Sequence, residues 1–115
     1  MAYNENLADR VREILVDQKK VEEKKMFGGL AFMVNDKMCV GIIKDDLMAR
    51  IDPEIYEEAL EKHGCREMDF THRPMKGYVM ISSEGTDRQK DLVFWVGHAI
   101  DFNKKAKASK SSKKN

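Results

Sequence analysis

Residues 30–43 read LAFMVNDKMCVGII, and this stretch decides the fold. Two mainly apolar segments, residues 30–34 and 37–43, are separated only by Asn35-Asp36. Asn and Asp both tolerate a positive φ angle, which the central residues of a tight hairpin turn require. The stretch therefore predicts two antiparallel strands joined by a two-residue turn.

Further strands are predicted on both sides of this hairpin. Residues 21–27 form a charged strand that is typical of a sheet edge, and Gly28-Gly29 mark a bulge or turn after it. After a turn at Asp45-Asp46, apolar side chains alternate over residues 47–51, as they do on one face of a strand. We expect the last two strands at residues 65–71 and 76–82.

Three helices are predicted from capping residues and apolar spacing. The first begins after Asn4, a good N-cap residue, and the second begins with Asp52-Pro53, a capping oxygen followed by a proline at the first helical position. Gly64 ends the second helix, with His63 on its inward stripe. A capping box at residues 86–89 opens the third helix. The side chains of this helix expected to face the sheet are Leu92, Val93, Val96, Ala99 and Ile100, with Trp95 at the margin.

The predicted element order is α-β-β-β(-β)-α-β-β-α. The connections are of hairpin length, whereas parallel strands need long crossovers, so the sheet should be antiparallel. We expect an α+β fold, a two-layer sandwich with the helices packed on one face of the sheet. Because no long linker interrupts the chain of 115 residues, residues 1–103 should form one domain.

The composition excludes several classes of protein. The longest uninterrupted apolar runs are five residues, whereas a membrane-spanning helix needs about 20. Two cysteines, Cys39 and Cys65, are too few for a disulfide framework, and no signal peptide is visible. We therefore expect a soluble, cytoplasmic protein that does not contact a membrane.

Positive charge is concentrated at the end of the chain. The formal net charge is +1, yet residues 104–115 hold six lysines and no acid, which leaves 15 basic against 20 acidic side chains in residues 1–103. This segment has no large apolar side chain, so we expect it to be disordered. It is either a nonspecific nucleic-acid arm or a solubilising terminus, and the acidic body favours the second.

Motifs for nucleotide binding or hydrolysis, such as a P-loop or Gly-x-Ser-x-Gly, are absent from the sequence. An alternative is that three side chains bind a metal or form a catalytic thiol–imidazole pair. They are His63, Cys65 and His72. A zinc site would lack its fourth ligand, and Cys65 follows the helix end that does not lower a thiol pKa. The sequence thus predicts no catalytic residue, metal or cofactor, and a small-molecule enzyme using these three side chains stays as an alternative.

Two segments each place cations beside glycine and an aromatic ring. They contribute Lys24 and Lys25 in one case and Arg73 and Lys76 in the other. Cations next to glycine and an aromatic face suit phosphate and a stacked base. The same cations are also typical of the solvated face of edge strands, so both interpretations stay open.

The last helix carries a second apolar row. Phe94, His98 and Phe102 recur at i, i+4 and i+8, and Trp95 lies next to this row. The helix is therefore apolar over more of its circumference than one sheet face needs. Such an excess is typical of a protein interface or of deeper burial of the helix. We expect these four side chains to form a protein contact, for which a homodimer is the simplest use.

Five segments carry a family pattern. They are KKMFGGLAFM (residues 24–33), MCVG (38–41), DLMAR (46–50), MDF (68–70) and RPMKGY (73–78). In this order and spacing they closely resemble the TfoX amino-terminal domain family, and the resemblance covers roughly residues 3–103.

The resemblance implies an α+β fold similar to secretion-chaperone-like two-layer domains. It also implies a link to transcription, because full-length TfoX (Sxy) proteins regulate natural competence genes together with the cyclic-AMP receptor protein. Those proteins carry a second, C-terminal domain, whereas only the lysine-rich segment follows Phe102 here, so we expect a single-domain member. The family offers no agreed catalytic residues to carry over.

These patterns together predict a non-enzymatic bacterial binding domain that acts as a transcription-linked protein-interaction module. Its partner should be another protein or a second copy of the chain. Direct nucleic-acid binding through the four cations of the glycine-containing segments and the lysine tail is the first alternative.

Overall fold

The computed structural model describes residues 3–26, 28–67 and 77–105. Its six strands form one antiparallel sheet in the order β1-β2-β3-β4-β6-β5. The helices are α1 (Glu5–Ile14), α2 (Tyr56–Leu60) and α3 (Gln89–Asn103). The strands are β1 (Val21–Met26), β2 (Gly29–Val34), β3 (Lys37–Ile43), β4 (Asp46–Arg50), β5 (Cys65–Glu67) and β6 (Tyr78–Ile81). The predicted α+β class and element order are confirmed, including the fourth strand before α2.

The central hairpin forms as its sequence predicts. Asn35 and Asp36 have φ angles of 55° and 66°, the left-handed pair that a two-residue turn uses. A bulge shifts the register between Phe32 and Met33, so that Cys39 has no direct partner on β2. As a result Cys39 and Val40 both join the core on the helix side of the sheet.

The main core lies between the sheet and the helices. α1 and α3 pack against each other, and α3 lies across β3 and β4, while α2 packs on β5 and β6. The capping residues act as expected, because Asn4 accepts a hydrogen bond from the Leu7 amide and Asp52 accepts one from the Glu54 amide. The largest fully buried side chains include Phe32, Ile42, Leu47, Ile51, Ile81 and Leu92.

A second, smaller apolar cluster occupies the opposite face of the sheet. Four methionines, Met33, Met38, Met48 and Met80, pack there around Ala31. Unbranched thioether side chains fill irregular gaps well, which suits a sheet face whose small residues leave uneven space. We call this side of the sheet the methionine face.

Two predictions about α3 are wrong. The helix begins at Gln89 without any side-chain cap, because residues 83–85 first form a 3₁₀ turn whose Ser83 carbonyl accepts hydrogen bonds from the Thr86 and Asp87 amides. The buried stripe is Leu92, Trp95, Val96, Ala99 and Asn103, so Trp95 replaces Val93, which is 44% exposed. The capping box and the inward Val93 both fail because the helix starts later and is rotated relative to the predicted stripe.

Smaller boundary differences occur elsewhere. The turn before β4 uses Lys44 and Asp45, with Lys44 at φ 55°, rather than Asp45-Asp46. β5 ends at Glu67 and β6 begins at Tyr78 in the described chain, and residues 68–76 lie outside the described residues. Within residues 3–26, 28–67 and 77–105, no helix combines the length and apolar character that crossing a membrane requires.

Hydrogen bonds and an ion pair attach the C-terminal end of α3 to the rest of the domain. The Asn103 amide group donates to the Val34 carbonyl over 3.1 Å, and Lys37 Nζ donates to the Asn103 carbonyl over 2.7 Å. Lys105 Nζ then forms an ion pair of 2.7 Å with Asp52, which caps the 3₁₀ turn Pro53–Ile55 that leads into α2. Lys104 and Lys105 form a turn, and the rest of the predicted disordered tail, residues 106–115, lies outside the described residues.

Candidate interaction surface between the second and third helices

A groove runs between α2 and α3 on the outer side of the helix layer. Its floor and walls enclose about 170 Å³. An adjoining hollow of about 370 Å³ continues past Phe94 toward the 3₁₀ turn at Ser83–Gly85. We call the two spaces together the α2–α3 groove, and its central lining residues are Ile55, Ala59, Lys62, Phe94, Trp95 and His98.

Phe94 forms the ridge between the two spaces. Its side chain is 36% exposed, which is unusual for a large aromatic side chain on a helix that packs on a sheet. The ring contacts Trp95 and His98 edge-on, at centroid distances of 5.1 and 4.5 Å. Lys62 Nζ lies 4.8 Å from the Phe94 ring centre, a cation–π contact that links α2 to α3.

Backbone packing holds the wall of the larger hollow in place. Gly64, at φ +83°, and Gly85 lie so close that a β-carbon on Gly64 would come within 2.8 Å of the Gly85 nitrogen. A β-carbon on Gly85 would in turn meet Ile81 at 2.5 Å. Neither position can carry a side chain without displacing its neighbours. The two glycines therefore allow the backbone of the turn after α2 to pack directly against the backbone of the turn before α3.

The structure separates the four side chains of the predicted protein contact. Phe94 and His98 line the groove, while Trp95 is only 3% exposed and belongs mainly to the core. Phe102 lies elsewhere, because its ring packs 5.6 Å from the Arg50 guanidinium, which also stacks on Tyr78 at 5.6 Å. The predicted surface is therefore reduced to Phe94 and His98 with a Trp95 floor.

The half of the groove that α2 contributes is not predicted from the sequence. Its lining side chains are Ile55, Glu58, Ala59 and Lys62. The apolar spacing places Ile55 and Ala59 on an inward stripe of this helix and does not single out Glu58 or Lys62. His63 is not on that stripe, because its side chain is exposed and its Nε2 lies 3.4 Å from Glu84 Oε1.

Cys65 does not have the surroundings of a nucleophile. It packs half-buried against the helix-side core, and this burial raises the pKa of its thiol to about 11. Burial likewise raises the pKa of Cys39 to about 12. A nucleophilic thiol needs the opposite shift, toward the thiolate. His72, the third side chain of this alternative, lies outside the described residues.

We expect iodoacetamide to alkylate Cys65 about 100-fold more slowly in the native protein than in denaturant at neutral pH, because the buried thiol stays protonated. Peptide mass spectrometry after timed alkylation measures the rate at each cysteine. A native rate equal to the denatured rate would show that Cys65 is accessible and ionises as readily as in the unfolded chain, which would remove this objection to the thiol alternative.

A sequence model of the TfoX N-terminal domain matches residues 13–103, which is most of the chain. The chain belongs to the TfoX N-terminal domain family. No curated protein and no solved structure matches it.

The sequence of this TfoX N-terminal domain suggested four cations that could contact phosphate. Two of them, Lys24 and Lys25, lie in the described part of the chain, on the edge strand β1. Lys24 is paired with Ala31 and Lys25 with Leu30, so successive side chains point to opposite faces of the sheet. Both side chains are exposed, but they do not form one patch. Arg73 and Lys76 lie outside the described residues, so their part of the hypothesis stays a prediction.

Several TfoX pattern residues have a visible packing role. Gly29 leaves no room for a β-carbon next to the Ile42 carbonyl, and Gly77, at φ +94°, accepts a hydrogen bond of 2.7 Å from the Ile51 amide. Arg50 ends β4 between the Tyr78 and Phe102 rings. In the part of the chain that is described, no three His, Cys, Asp or Glu side chains are grouped as metal ligands would be.

Proposed function

We propose that this chain is a non-enzymatic protein-binding domain and that it binds its partner in the α2–α3 groove. The observation that carries the proposal is the exposed Phe94 ring, which stands between two adjoining hollows. The association with transcription, as an accessory module in a bacterial cytoplasm, follows from what the TfoX resemblance implies.

The groove has the composition of a protein interface. An aromatic anchor stands at its centre, Trp95 and Ala59 provide an apolar floor, and charged side chains surround it. Binding energy in protein interfaces concentrates on such central aromatic residues, and a polar rim excludes water around them. The rim side chains are Glu58, Lys62, Glu84, Lys90 and Asp91.

The surface is also preformed. Phe94 is held by contacts to Trp95, His98 and Lys62, so little side-chain entropy remains to be lost when a partner covers it. The close seating of Gly64 on Gly85 holds the adjoining wall. Pre-organisation of this kind supports recognition by a rigid groove rather than by an induced fit.

Phe94→Ser is expected to abolish capture of the partner, because truncating a central aromatic anchor costs about 2 kcal/mol or more of binding free energy. The measurement is quantitative mass spectrometry of proteins retained by the immobilised wild-type chain and by the variant from the source bacterium. Proteins that bind through the groove are those retained by the wild type and lost with the variant.

Val93→Ser provides the matched control. Val93 is the neighbouring exposed residue of α3 and does not line the groove, so this change removes a similar apolar side chain without touching the proposed site. Capture that is unchanged in Val93→Ser and lost in Phe94→Ser supports the proposal. Equal capture by all three proteins would contradict it.

A further inference from the structure

Among the described residues, the strand β1 leaves one edge of the sheet unpaired. It is the terminal strand in the sheet order, and within residues 3–26, 28–67 and 77–105 its one partner strand is β2. The Asn35 amide donates to the Lys20 carbonyl, so strand alternation turns the backbone groups of Val21, Glu23 and Lys25 away from β2. Three residues thus present amide and carbonyl groups at this edge.

The charges along this edge have a definite order. β1 reads VEEKKM, and residues 22–25 are all exposed. Glu22 and Lys24 pair with Met33 and Ala31, so their side chains lie on the methionine face. Glu23 and Lys25 lie on the helix face. Each face of the strand therefore carries one acid and one base, two residues apart.

We propose that β1 pairs with β1 of a second copy of this chain, antiparallel and around a two-fold axis at Glu23. A two-fold axis perpendicular to a sheet keeps every side chain on its own face. Glu22 of each copy then lies directly opposite Lys24 of the other, which gives two symmetric ion pairs on the methionine face. The product is one continuous sheet that joins the six strands of each copy.

Electrostatics selects this register over its neighbours. An axis at Glu22 or at Lys24 would place like charges opposite each other at the centre, and neither residue has an ion partner in the described part of the chain. An axis at Lys24 would also pair Glu23 with Lys25 of the other copy, but Arg12 already binds that carboxylate. An axis at Glu23 also places two carboxylates together, but each is compensated within its own copy. Arg12 Nε and Nη2 donate hydrogen bonds of 2.6 and 2.8 Å to Glu23, and they lower the pKa of its carboxyl.

The same charges favour a second copy as the partner strand. Lysines on an edge strand normally prevent association with other strands. Here the antiparallel strand of a second copy brings its own Glu22 opposite each exposed Lys24. The pairing is therefore self-complementary, which is the usual form of a two-fold interface.

This dimer leaves the α2–α3 groove free. β1 lies at one edge of the sheet, whereas α2 packs on β5 and β6 at the other edge. A homodimer on the last helix, as expected from the sequence, would instead cover the groove. Pairing through β1 presents two grooves at opposite ends of one assembly, and it does not depend on what the grooves bind.

Complementary charge reversals test the pairing. In sedimentation velocity at low salt, Glu22→Lys and Lys24→Glu are each expected to weaken self-association about tenfold, because two attractive pairs become repulsive. An equimolar mixture of the two variants should form a heterodimer in which every opposed pair is again attractive. The double variant E22K/K24E should self-associate like the wild type, and Glu57→Lys, an exposed reversal on α2, should have no effect.

A wild-type chain that stays monomeric at high micromolar concentration would overturn the proposal. So would single reversals that dimerise like the wild type, or a mixture that forms no heterodimer. Circular dichroism of each variant shows whether it is folded, and the Lys24→Glu arm tests the pairing even if Glu22→Lys unfolds. Dimerisation lost in Phe94→Ser but not in the reversals would instead place the second copy in the groove.

Discussion

Gly29→Ala is expected to lower the free energy of unfolding by about 3 kcal/mol or more, a loss large enough to unfold a small domain. A β-carbon on Gly29 would lie 2.1 Å from the Ile42 carbonyl oxygen and 3.0 Å from Ile43 Cγ1. The oxygen belongs to the backbone of the neighbouring strand, so no side-chain rotation relieves the overlap. The start of β2 would have to move away from β3.

Gly28→Ala is the control for this prediction. Gly28 has φ +74°, but among the described residues no atom beyond its chain neighbours lies within 4 Å of the position that its β-carbon would take. An alanine there adds only the backbone strain of a left-handed conformation, about 1 kcal/mol. Urea denaturation of both variants measures the difference. Equal losses at the two positions would show that close strand contact at Gly29 is not what excludes a side chain.

Trp95→Ala is expected to lower the free energy of unfolding by about 3–5 kcal/mol, because it removes a large side chain from the core. Trp95 is 3% exposed and packs with Leu92, Val96 and Ala99 against the sheet. The cavity left behind would lie beneath the α2–α3 groove. Thermal and urea unfolding measure the loss, and a stability within about 1 kcal/mol of the wild type would show that Trp95 is not a core residue.

Phe94→Ser separates stability from recognition at the adjacent position. Its partly exposed ring contributes less to the core, so we expect a loss of about 1 kcal/mol or less in the same unfolding experiment. The two neighbours therefore have different roles, although both were predicted as interface residues. Loss of partner binding in Trp95→Ala would be explained by unfolding of the domain. Loss of partner binding in Phe94→Ser would instead show that the partner contacts the α2–α3 groove.

The packing role of Gly29 bears on how the family pattern should be understood. Met-Phe-Gly-Gly is one of the segments that mark the chain as a TfoX N-terminal domain. Gly29 allows β2 to begin against β3, and Gly77 allows the chain to approach Ile51 and Pro53. At these two positions the fold accounts for the pattern, so the glycines of the pattern are not by themselves evidence of a binding site.

The sequence by itself determined the features that depend on neighbouring residues. Asn35-Asp36 predicted the central turn, Asn4 predicted the start of α1, and Asp52 predicted the start of the 3₁₀ turn Pro53–Ile55 that leads into α2. Turn conformations and cap hydrogen bonds involve only a few consecutive residues. The period of the apolar residues likewise predicted strands and helices in the right order. The capping box at residues 86–89 failed because the Thr86 and Asp87 amides instead donate to the Ser83 carbonyl of the preceding 3₁₀ turn.

Only the tertiary structure decided which side of α3 is buried and what lies beside it. Trp95 and Val93 differ by two positions, and local spacing does not distinguish them, since α3 is apolar around most of its circumference. The choice depends on how the helix lies across β3 and β4 and on the seating of Gly64 against Gly85. These contacts join residues far apart in the chain, and they alone place Lys62 over Phe94 and create the groove.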